Sequence, residues 1–217
     1  MSKPGKKTPF GPGRSSRPAI VAWMPVDYGF YAQSYRYVGE GMIDKAHEEQ
    51  LEDFYVYAIG YIYRHALELA LKHVNYVVER SLAARANVGL LDPADRLTQA
   101  QVDEQMADLP SHRLLPLLNR LEKRYQLIKG AEPLDPEVRA VIEAVGQFDP
   151  DGQKFRFPYL RKGAPSFTPP KKGQSFVDLE GIRDTIDPVI GYLIDGMDGW
   201  LSGDIDGLEA MREDVGM

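Results

Sequence analysis

The run DKAHEEQLEDFYVYAIGYIYRHALELALKHVNYVVERSLAA, Asp44 to Ala84, decides the fold. Within it Leu51, Phe54, Tyr55, Ala58, Ile59, Ile62, Ala66, Leu69, Ala70, His73 and Val77 recur at steps of three and four, the period of a helix. No proline interrupts the run, and Asp44 is placed to cap its start. At 1.5 Å per residue such a helix reaches about 60 Å, longer than a small domain is wide, so it is expected to be a central rod with other helices packed along it. Leu67, Leu71, Val74 and Val78 widen the apolar arc beyond the stripe of a surface helix. What remains is a narrow polar strip, Tyr57, Tyr61, Arg64, His65, Glu68 and Lys72, which faces solvent or lines a groove.

Working outward, Trp23 to Tyr37 is dense in aromatics and reads as an ordered but irregular segment lying over the core. After the long run, Leu91 to Pro110 reads as a turn and a short helix, with Thr98 and Gln101 spaced as a capping box. A helix is expected from Ser111 to Lys129, bent at Pro116 and stopped by Gly130. Asp135-Pro136-Glu137 opens another, carrying Val138, Val141, Ile142 and Val145 and ending near Gly146. The stretch 150–178, with Phe155, Phe157 and Tyr159 alternating among Pro, Gly and Lys, predicts a loop holding a small β-hairpin. A last helix starts near Asp178 and is bent or broken at Pro188; beyond Trp200 the chain reads as a solvated acidic tail. The fold class expected is all-α, an antiparallel bundle around one long helix, divided into a flexible basic arm (1–22), a helical domain (23–202) and an acidic tail (203–217).

Absences narrow the chemistry. The chain has no cysteine, so disulfides, thiolate metal sites and a cysteine nucleophile are excluded, and a cytoplasmic setting is the default. Every apolar stretch is broken by charge before the roughly 20 residues that a membrane span requires, so no membrane association is expected. The first eighteen residues carry Lys3, Lys6, Lys7, Arg14 and Arg17 without an acid or an apolar core, which argues against an export signal. Taking those five from 26 basic and 32 acidic residues leaves the remainder at −11, a body that repels a phosphate backbone at long range. Any nucleic-acid contact must therefore use a local basic patch or the arm. The histidines at 47, 65, 73 and 112 lack the spacing of a helical zinc site, so no metal is expected, and His73 reads as a core histidine. No phosphate loop, nucleophile elbow or dinucleotide fingerprint is present, and no cofactor is implied.

Three passages carry a resemblance: YIYRHALELALK (Tyr61–Lys72), SHRLLPLLNRL (Ser111–Leu121) and FDPDGQKFRFPYLRKG (Phe148–Gly163). Together they resemble an outlying bacterial and phage-associated branch of the HEPN superfamily. That resemblance implies helix bundles, often dimeric, that act as ribonucleases or as RNA- and nucleotide-associated modules in toxin and antiviral systems. HEPN ribonucleases carry an Arg, four to six intervening residues, and then a His. Here Arg64 is followed at once by His65 and next by His73, nine positions on, which on a helix points to the opposite face. The standard ribonuclease motif is absent.

Arg64, Glu68 and Lys72 step down one helix face at intervals of four, and as a plain charge ladder each pair contributes about 0.3–0.5 kcal/mol. Their functional alternative is a polar site in which Arg64 and His65 meet His112, with Ser111 and Arg113 at a helix start holding a phosphate. Arg156, between Phe155 and Phe157, would stack on a base or bind phosphate. The catalytic candidates are Arg64, His65 and His112; the binding candidates are Tyr57, Tyr61, Arg64, Glu68, Lys72, Arg113 and Arg156. Alanine at Arg64, His112 or Arg156 is expected to abolish activity with little change in thermal midpoint. The functions weighed are an RNA-, nucleotide- or protein-binding module, a ribonuclease or nucleotide-modifying enzyme with a rearranged site, and a structural subunit docking through Trp23–Tyr37.

Overall fold

The computed structural model describes residues 27–108, 112–160, 163–167 and 176–214, and they are all-α. The helices are α1 (Tyr28–Glu49), α2 (Glu52–Asn87), α3 (Gln99–Asp108), α4 (Leu114–Tyr125), α5 (Pro136–Phe148), α6 (Leu179–Gly191) and α7 (Asp198–Asp214), with a π-helical turn at Tyr192–Met197 joining the last two. Within 150–178 the described residues hold one isolated antiparallel bridge, Tyr159 to Pro165, and no strand. None of the described helices is long and apolar enough to cross a membrane. The basic arm and Ser111 lie outside the described residues.

The run that opens the sequence reading is not one helix. Gln50 takes a left-handed conformation, φ 55° and ψ 42°. The backbone N–H of Leu51 donates to the Ala46 carbonyl at 3.0 Å and that of Gln50 to His47 at 3.3 Å, which closes α1 in a Schellman turn. Asp44 is thus inside α1, not at a helix start, and the segment expected to be irregular is helical from Tyr28, capped by the Asp27 carboxylate on the Phe30 N–H at 2.8 Å. The inward residues of α1 are small, Ala32, Gly39 and Ala46 beside Ile43, and that lets α1 lie close against α2. A Cβ on Gly39 would stand 2.8 Å from the Tyr63 ring.

α2 is buried around most of its circumference, packing against α1, α4, α6, the π turn and α7. Pairings fix the directions. Tyr28 stacks on Tyr76 while Gly39 meets Tyr63, so α1 runs antiparallel to α2. Asn75 donates to the Leu117 carbonyl at 3.2 Å and Glu79 takes Arg124 through two 2.8 Å bonds, so α4 runs parallel to α2. α7 does likewise: His73 faces Asp198 at 3.2 Å and Arg85 holds Asp204 at 2.6 Å. The antiparallel order expected from sequence therefore covers α1 against α2, and α5 against α4, where Arg139 meets Glu122 and Gly146 meets Leu115, but not α4 or α7 against α2.

Several local starts match the sequence. Thr98 and Gln101 form a reciprocal capping box, Asp135 caps α5 and Asp178 caps α6. Others differ. α4 spans Leu114–Tyr125 and not 111–129, with Gly130 at φ 89° in the turn beyond it. α6 continues through Pro188. The stretch beyond Trp200 is not a solvated tail, because α7 buries Leu201, Ile205 and Leu208. Leu193, Met197, Leu201 and Ile205 follow one another at fours, and on an ideal α-helix each such step drifts about 40°. The wider π turn takes up part of that drift and keeps the apolar side against α2.

Candidate functional site

Along the polar strip of α2 exposure changes abruptly: Tyr57 is 52% exposed, while Arg64 and Glu68 are 3% and 2%. The cover over the second pair is built by the end of α5 and the turn after it. Asp149 accepts the backbone N–H groups of Gln153 at 2.9 Å and Lys154 at 3.1 Å, which folds 149–154 into a tight turn. Gly152, at φ 70°, packs this turn onto His112. Phe155 then seats on α2 at Gly60, joining Phe148 and Phe167 in an aromatic cluster with centroids 5.2–6.3 Å apart.

Beneath that turn Arg64 donates through Nη2 to the carbonyls of His112 and, at 3.4 Å, Asp149, while Nη1 lies 3.5 Å from Glu68. Its Nε has no hydrogen-bond partner among the described residues. Burial lowers the Arg64 pKa from its ordinary value, opposed by the charges of Glu68 and Asp149. Glu68 is the hub: Lys72 Nζ donates to one oxygen at 2.7 Å and His112 Nδ1 lies 3.2 Å from the other. Burial alone would raise the Glu68 pKa, but the Lys72 hydrogen bond and the charges of Lys72, His112 and Arg64 outweigh it, and the carboxyl is held below its ordinary value. An ionised Glu68 can only accept, so Nδ1 of His112 is the donor in this contact. His112 is also strained, at φ 79°, a conformation costly for a residue with a Cβ. Its side chain is 42% exposed.

Of the sequence candidates, Arg64, Glu68, Lys72 and His112 come together. Arg64 is not presented to solvent: it clasps two carbonyls and positions His112 and the 149–154 turn. His65 stands beside this group, its ring stacked on Tyr61 at 5.5 Å and meeting Tyr35 edge-on at 4.9 Å. Arg156 is exposed and lies over Tyr61 at 5.8 Å and Phe157 at 5.2 Å, which links it through Tyr61 to His65. Tyr57 meets Phe167 at 5.9 Å. Arg113 is exposed at the start of α4 and makes no capping bond with its side chain. Sequence reading missed Gly60 and Asp149, and named Phe155 only as a neighbour of Arg156; the Asp149-Pro150-Asp151-Gly152 turn signal marks the second. Elsewhere His73, expected in the core, is only half-buried: it packs its imidazole against Gly29 and faces Asp198 at 3.2 Å. Among the described residues no three acidic or histidine side chains are grouped to hold a metal ion.

Chemically, the site offers an exposed cation among rings and, under the 149–154 turn that precedes it in the chain, a histidine in contact with a buried carboxylate. No family model, curated protein or solved structure matches this chain, so its function is read from that geometry.

Proposed function

We propose that this chain is a HEPN-like module that binds single-stranded RNA or a nucleotide on the surface around Arg156, without the standard ribonuclease spacing. The observation that carries the proposal is the setting of Arg156: an exposed guanidinium over Tyr61 and Phe157, with Tyr57 one helical turn before Tyr61 and Tyr159 two residues after Phe157, at 52% and 64% exposure. Bases stack on such rings at about 1–3 kcal/mol each, and the cation takes the adjoining phosphate. Lys154, over Phe148 at 4.1 Å, extends the same pattern. A net charge of −6 makes this a local patch, so affinity should be modest and sensitive to salt. The test is fluorescence anisotropy with a labelled twelve-nucleotide oligouridine at 50 and 200 mM salt. Binding that weakens with salt and falls about tenfold in Arg156→Ala is the expected result; no binding at the lower salt, or an unchanged Arg156→Ala, refutes it.

The contact between Glu68 and His112 favours a second reading, metal-free cleavage of the bound RNA. His112 Nε2 would take the proton of a ribose 2′-hydroxyl as its oxygen attacks the neighbouring phosphorus and the bond to the 5′-oxygen breaks, that oxygen being protonated by water. Products ending in 2′,3′-cyclic phosphate, formed in the presence of chelator and lost in His112→Ala, are expected on this reading. Binding without turnover would leave the module non-catalytic.

A further inference from the structure

A second cleft, sharing no residue with the Arg156 surface, opens between the end of α4, the 130–136 turn and the π segment, with a volume of about 630 Å³. Tyr125, Tyr192 and Trp200 line it, together with Glu132, Asp135 and Gly196. The rings of Tyr125 and Trp200 meet at 6.0 Å and 77°, so two aromatic walls stand nearly perpendicular. Trp200 is 44% exposed, whereas the next apolar residues of the same helix, Leu201, Ile205 and Leu208, are buried; Met211, near its end, is exposed as well. Neither carboxylate is paired with a cation among the described residues; Asp135 accepts the Glu137 N–H through Oδ1 at 2.8 Å, which leaves Oδ2 free. Burial first, then the charges of Tyr192 and Glu132, raise the Tyr125 pKa, so these groups lie within electrostatic reach of one another.

Gly196 lines the same cleft. A Cβ there would meet nothing within 4 Å, so packing does not require glycine, yet in a helical segment it costs about 0.5–1 kcal/mol against alanine. A side chain at that position would project into the open space. The π turn, a form concentrated at functional sites, is the element that carries both Tyr192 and Gly196.

We propose that this cleft binds a compact alkylammonium cation, its quaternary headgroup against the Trp200 and Tyr125 rings and its charge balanced by Glu132 and Asp135. Ring faces attract cations through their quadrupole, best when water is displaced, and nearby carboxylates separate such a site from a merely greasy one. The volume lies within the range of roughly 300–1,000 Å³ that small-molecule sites occupy.

The chain has two tryptophans, so Trp23→Phe leaves Trp200 as its sole indole fluorophore. Titrating that protein with choline should give a saturable change in emission, and its uncharged isostere 3,3-dimethyl-1-butanol should give none. Glu132→Gln, with its circular dichroism unchanged, should weaken choline at least tenfold; Tyr192→Leu, followed by calorimetry, provides an independent variant. Free trimethyl-lysine is run alongside: tighter binding of choline marks a small metabolite, tighter binding of trimethyl-lysine a modified side chain, and either supports the site. Equal binding of the neutral isostere, no saturable response to either cation, or an unaltered Glu132→Gln overturns it.

Discussion

Gly60 and Phe155 touch so closely that a Cβ on Gly60 would stand 2.5 Å from two carbons of the Phe155 ring. The ring cannot give way freely, because Phe148 and Phe167 pack against it. On a bare helix Gly→Ala would stabilise by about 1 kcal/mol. In this position overpacking outweighs propensity, and Gly60→Ala is expected to destabilise by about 1–3 kcal/mol. It should also displace the 153–157 segment and weaken oligouridine binding through Arg156. A chemical-denaturation midpoint that rises in Gly60→Ala would show that Phe155 does not sit there.

Arg64 is where sequence and structure diverge most in consequence. Its guanidinium joins Glu68, the His112 carbonyl and the Asp149 carbonyl in a buried cluster. Removing one member of a buried ion pair costs about 3–5 kcal/mol. At about 2–4 °C per kcal/mol for a chain of this size, Arg64→Ala should lower the melting midpoint by roughly 10 °C. Arg156→Ala, on the exposed turn, should leave it nearly unchanged. Equal midpoints in the two variants would contradict this account.

Acid should loosen the protein in a defined window. Burial between Tyr35 and Tyr61 lowers the His65 pKa from its ordinary 6.5, with Lys72, His112 and Arg64 adding to the effect against Glu68. The folded chain thus holds this proton less readily than the unfolded chain. The corresponding stability is complete above about pH 6.5 and is lost as pH falls through the folded value. Glu68, also lowered, adds a further loss below the ordinary carboxylate range. Melting curves at pH 7, 6 and 5 should fall less steeply in His65→Phe than in the parent; parallel curves would exclude His65 as the source.

Gln50 occupies the left-handed position that glycine usually fills at a Schellman turn. Because it is exposed, Gln50→Gly should relieve backbone strain at little other cost and stabilise by about 0.5–1 kcal/mol. A lower midpoint on thermal melting would mean that the Gln50 side chain contributes more than the strain it imposes.

What the sequence disclosed was local. The Thr98–Gln101 box and the Asp135 and Asp178 caps each depend on residues within three positions of one another, and the structure has all three. α1 was missed because, apart from Ile43, its buried residues are Ala32, Gly39 and Ala46, too small to register as an apolar stripe although they fall at helical spacing. The break at Gln50 left no signal, since glutamine stands where glycine would have announced it. In α7 the glycines at 199, 203 and 207 masked the spacing of Leu201, Ile205 and Leu208. At the site, Arg64, Glu68, Lys72 and His112 were named from residue type and resemblance, but the burial of Arg64 was not foreseeable. It depends on a turn that begins 85 residues later, at Asp149, folding back over α2.

The π turn between α6 and α7 behaves as a phase setter in a single long rod. Shortening it by one residue would swing everything beyond by about 100°. Asp204 would then turn away from Ser81 and Arg85, and Trp200 from Tyr125. Anchorage of the final helix and the shape of the aromatic cleft are thereby tied to the same chain length, so a deletion there cannot spare one and lose the other.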